Sequence, residues 1–60
     1  MFKILWNRLL ENKDLARFYI QMINEDNGAL EHLDKATDEE IEEHIGDIVH
    51  FAIEYINKNE

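Results

Sequence analysis

The sequence predicts an all-α mini-domain of three to four helices with a long C-terminal helix. Three observations predict it. Apolar residues recur at intervals of three and four, and strict alternation never lasts, so the period is that of helix rather than strand. Proline is absent and glycine occurs only at 28 and 46, so little interrupts helix along the chain. The run Thr37-Asp38-Glu39-Glu40 has the form of a capping box, with Thr37 as N-cap and Glu40 at the third helical position.

Residues 2–11 place Phe2, Leu5, Trp6, Leu9 and Leu10 on one helical face. Residues 14–26 place Leu15, Ala16, Phe18, Tyr19, Met22 and Ile23 on another. At about 100° per residue the two stripes are out of phase by roughly a quarter turn. A break near Asn12-Lys13-Asp14, with Asp14 as N-cap, reconciles them; one bent helix over residues 2–26 is the alternative. Gly28 is the expected stop of this segment. Residues 29–36 read as a short helical turn carrying Leu30 and Leu33. From Asp38 the last helix is expected to run to Asn57, with acids crowding its first turn at the positive end of the helix dipole. One domain accounts for all of residues 1–60.

The last helix carries more apolar surface than a single core requires. Ile41, Ile45, Ile48, Ala52 and Ile56 form its centre, with Val49 and Ile53 on one side and Phe51 and Tyr55 on the other. The arc spans roughly 200°, against little over about 100° for a helix lying on one core. Either this helix is central and the others wrap it, or one flank meets a second chain. The expected contact residues are Ile41, Ile45, Ile48, Phe51, Ala52, Tyr55 and Ile56, and a homodimer is the expected assembly. A chain this short also lacks the usual staples of small domains, since it contains no cysteine.

Charge narrows the choice of partner. The net charge is −8. Residues 1–17 set Lys3, Arg8, Lys13 and Arg17 against Glu11 and Asp14, while beyond them only Lys35 and Lys58 offset the acids. Such a field repels phosphates, so direct nucleic-acid binding is not expected, and a basic protein partner is favoured. The expected acidic partner face is Glu39, Glu40, Glu43, Asp47 and Glu54. The same acids, in a row, define an alternative in which the chain mimics DNA and blocks a nucleic-acid-binding protein.

Catalytic patterns are sparse. Serine and cysteine are absent, and no glycine-rich phosphate loop is present. Glu43, Asp47, His50 and Glu54 project together, and Asp47-x-x-His50 is half of a helical-bundle metal motif, but the bundle motif draws ligands from several helices. The run Glu42-Glu43-His44-Ile45-Gly46-Asp47-Ile48-Val49 resembles the Glu-Glu-Leu-Gly-Asp-Val-Leu stretch of MazG-type nucleotide pyrophosphatases. That resemblance implies a helical, magnesium-dependent enzyme. His44 stands where the pattern has a metal-binding Glu, and the second Glu-x-x-Glu motif is missing. No cofactor or metal is expected. The N-terminal stripe with Lys3, Arg8 and Lys13 has the composition of a membrane-surface helix, yet core packing is the preferred reading, and no membrane partner is expected. Asn7 and Arg8 interrupt the first apolar run before signal-peptide length, so a cytoplasmic chain is expected. The functional expectation is a non-enzymatic, acidic modulator or inhibitor that binds a larger protein, of the phage-inhibitor or antitoxin-like type by analogy of size and composition.

Overall fold

The computed structural model describes residues 2–59, and among them there is helix and turn but no strand. The helices are α1 (Phe2–Glu11), α2 (Lys13–Asp26), a 3-10 turn (Glu31–Leu33), α3 (Asp38–Glu43) and α4 (Ile45–Lys58).

The break after α1 falls at Asn12, which is the N-cap of α2 in place of Asp14. Its backbone is extended, and its side-chain oxygen accepts from the Leu15 amide at 3.1 Å. Asp14 then sits in the first turn, where a carboxylate still favours the helix dipole. The quarter-turn phase shift thus resolves into two helices. Within α2 the buried residues are Ala16, Ile20 and Ile23, with Leu15 and Tyr19 packed beside them, so the expected face turns to the core except that Ile20 replaces Phe18. Phe18 lies about 200° from Ala16 around the helix and is 54% exposed.

Two devices end α2 and lead onward. Gly28 adopts φ +69°, the left-handed conformation that stops a helix at little cost for glycine alone. Asn24 then reaches forward to Leu30. Its amide donates to the Leu30 carbonyl at 3.0 Å, and its oxygen accepts from the Leu30 amide at 2.8 Å. This pair does for Leu30 what a strand neighbour would, and it drives a fully buried leucine side chain into the core.

The capping box forms as the sequence predicts: Thr37 Oγ1 accepts from the Glu40 amide, and the Glu40 carboxylate accepts from the Thr37 amide, both at 3.2 Å. The expected single helix over residues 38–57 is divided, however. The helix breaks at His44, whose amide donates to Glu40 and whose carbonyl accepts from Ile48. Helix is weakest here because Gly46 lies just beyond, costing about 0.5–1 kcal/mol relative to alanine in a helix interior. The Trp6 ring lies against α4 at Gly46, where an added Cβ would stand 3.5 Å from it, an ordinary van der Waals contact.

α4 is the central element, packed against α1, α2 and α3. Leu5, Leu9, Ala16, Ile20, Ile23, Leu30, Leu33, Ile41, Ile45, Ile48, Val49 and Ala52 form one buried cluster. The N-terminal stripe contributes Leu5 and Leu9 to it, with Trp6 and Leu10 packed at its edge, while Phe2 is left 46% exposed. Ion pairs lace the outside: Arg17 to Asp38, and Lys13 to Glu42 at 3.2 Å. Each such exposed pair contributes about 0–1 kcal/mol, so the apolar cluster carries the fold. The framework measures 30 × 24 × 15 Å, so at its thinnest it is two helix layers deep, with packed axes ~8–10 Å apart. Among the described residues no helix is long and apolar enough to cross a membrane.

Candidate protein-interaction surface

The seven apolar residues expected at an interface divide into two groups. Ile41, Ile45, Ile48 and Ala52 are buried in the chain's own core. Phe51, Tyr55 and Ile56 are half-buried, packed on that core yet open on one side. Ile56 lies on the opposite flank from Phe51 and Tyr55, roughly 100° or more around α4. The centre of the wide arc is wrapped by the other helices, and Phe51, Tyr55 and Ile56 beside it are only half-covered.

Phe51 and Tyr55 form one wall of a groove of about 240 Å³ between α4 and the C-terminal end of α2. Ile23, Asp26 and Asn27 line the α2 side, and Glu54 and Lys58 complete the α4 side. Lys58 Nζ crosses the groove to Asp26, at 2.9 and 3.1 Å from its two carboxylate oxygens. His50 Nε2 stands 3.5 Å from Glu54 Oε1, and its ring meets Phe51 edge-on with centroids 5.3 Å apart. No basic residue lies in the last turn of α2, which instead carries Glu25 and Asp26. Acids there oppose the negative end of the helix dipole by about 0.3–1 kcal/mol each, a cost that a cation offsets.

All five members of the expected acidic face are exposed, but they do not form one row. Glu40 is committed to the capping box, and the break at His44 separates Glu39 and Glu43 on α3 from Asp47 and Glu54 on α4. Neighbouring acids are neutralised locally, Asp38 by Arg17 and Glu42 by Lys13. Along α4 the sequence Asp47, Phe51, Glu54, Lys58 recurs at spacings of four, three and four, so acid and aromatic alternate down one flank.

His32 and His44, for which the sequence suggests no partner, lie against each other, their rings 6.0 Å apart and edge-to-face. The 3-10 turn, expected within residues 29–36, and the α3–α4 break, which periodicity does not show, bring them together. Among the described residues no three His, Asp or Glu side chains converge as a metal would require. A second hollow, about 430 Å³, is lined by Phe2, Lys3, Trp6 and Asn7. One helix supplies all of its lining, so nothing there fixes the orientation of a ligand.

No family model matches the chain, and comparison with curated proteins and with solved structures gives no significant match.

Proposed function

We propose that this chain is a small acidic binding module that modulates a larger, basic protein, and not an enzyme. The observation that carries the reading is the α4 flank on which Phe51 and Tyr55 stay half-open beside Asp47 and Glu54. Apolar area beside like-signed charge suits a partner that offers both apolar contact and cations. The groove is below the ~300–1,000 Å³ of sites that hold whole small molecules, and the 430 Å³ hollow on α1 is lined by one helix alone, which together argue against a metabolite substrate. The divided and partly neutralised acids argue against DNA mimicry, since a phosphate backbone presents unpaired charge at regular intervals.

Self-association through the same flank is the second reading, favoured by the aromatic pair Phe51 and Tyr55. It sets two copies of charge −8 against each other, and the foreign partner is preferred for that reason.

The test compares what wild-type protein and Phe51→Glu retain from extract of the native host. A defined protein is expected to be held by wild type in low salt and lost both in the variant and above about 0.5 M salt, where screening reaches ~4 Å or less. Thermal melting verifies that the variant is folded. Retention that is unchanged in Phe51→Glu contradicts the reading. A wild-type dimer in sedimentation velocity that Phe51→Glu dissociates establishes the second reading instead.

A further inference from the structure

We infer that the groove between α2 and α4 is a docking site for an arginine side chain of a partner protein, and that Lys58 is a built-in placeholder which that arginine displaces. The inference rests on the binding-module reading and deepens it.

The groove has the chemistry of a cation subsite. Its floor is the buried Ile23, and its walls are the rings of Phe51 and Tyr55. Asp26 and Glu54 stand at its rim, and the negative end of the α2 dipole adds to the potential on the same side. About 240 Å³ is room for one extended side chain. A long cationic side chain can lay its methylenes on Ile23 and the rings while its head reaches the carboxylates.

Lys58 already shows that a cation is accepted there. It comes from the last turn of α4, its side chain remains 62% exposed, and its ammonium pairs with Asp26, whose side chain is the more sheltered at 27%. A compact ammonium on a short span satisfies one carboxylate. Glu54 is left beside His50. A guanidinium is better matched. Its planar fork offers five donors, bonds a carboxylate with two parallel N–H groups, and stacks on aromatic rings. It can therefore engage Asp26 and Glu54 together against Tyr55 or Phe51. Lys58 swings into solvent when it enters, because nothing but the Asp26 pair holds its ammonium among the described residues.

The probe is a short, blocked, otherwise neutral peptide with one central arginine, titrated into the ¹⁵N-labelled protein and followed by NMR. Matched peptides carry lysine or citrulline at that position. Shifts are expected at Ile23, Asp26, Glu54, Tyr55 and Lys58, with arginine binding about fivefold or more tighter than lysine and citrulline not binding. Asp26→Asn and Glu54→Gln each weaken arginine binding by about fivefold to tenfold, while Lys58→Gln strengthens it by about threefold to tenfold. Lys35→Gln removes the same charge from the exposed loop before α3 and is expected to change affinity by less than about twofold. Equal binding of the arginine and lysine peptides, or equal effects of Lys58→Gln and Lys35→Gln, overturns the inference. If the arginine peptide fails while Phe51→Glu still abolishes partner retention, the arginine assignment alone falls. If both fail, the binding-module reading falls with it.

Discussion

Replacing Ile48 by alanine is expected to destabilise the domain by about 2–5 kcal/mol, enough to unfold most of it at 37 °C. Ile48 is fully buried at the middle of α4, under α1 and α2. Its truncation removes three carbons and leaves a cavity that the surrounding helices, tied together by short connections, close only in part. A single core in a domain of this size supplies roughly 3–5 kcal/mol, so the loss is comparable to the whole stability. The melting midpoint is expected to fall by roughly 10–40 °C. Phe51→Ala, on the half-buried flank one turn later, removes a larger side chain yet is expected to cost less, because the ring is only partly buried and its loss opens no closed cavity. Thermal melts of the two variants by circular dichroism measure the contrast. Equal losses would place Phe51 in the core and remove it from the surface.

Asn24→Ala is expected to cost about 2–3 kcal/mol, more than a polar residue on a helix usually carries. Both hydrogen bonds from the Asn24 side chain go to the backbone of Leu30, a residue whose own side chain is fully buried. Truncation leaves a partly buried amide and carbonyl without their partners, and the penalty is their desolvation rather than the modest net worth of two bonds. Asn24→Asp keeps the acceptor for the Leu30 amide but turns an anionic oxygen toward its carbonyl, so it should lie between wild type and alanine or below it. Urea denaturation measures both. A change within ~0.5 kcal/mol for Asn24→Ala would show that the Gly28 turn alone positions Leu30.

Residues 37–40 and the phase shift near Asn12 were legible because both are local: a cap pattern and a change of helical register are written in adjacent residues. Gly28 was legible for the same reason. What sequence periodicity misses is set by distant neighbours. The choice of Ile20 over Phe18 for the α2 core depends on the angle at which α2 meets α4. The break at His44 interrupts an apolar stripe whose spacing runs on unbroken through Ile41, Ile45 and Ile48, so periodicity does not reveal it. Asn24 has no signature at all, since an asparagine six residues before a leucine is unremarkable until a turn folds one onto the other. The interface prediction shows both sides: helical spacing found the excess apolar arc, but only the packing separates Ile41, Ile45, Ile48 and Ala52, which the core uses, from Phe51 and Tyr55, which line the groove.

The central claim is that the α4 flank bearing Phe51 and Tyr55 meets a foreign basic protein. Site-specific photo-cross-linking in the native host tests it most directly, with a benzophenone side chain at position 55 and, as control, at the exposed Glu11 on α1. A discrete covalent adduct with a basic protein is expected from position 55 and not from position 11, and Phe51→Glu is expected to abolish it. Adducts of equal yield from both positions, or from position 55 only to a second copy of this chain, would contradict the claim.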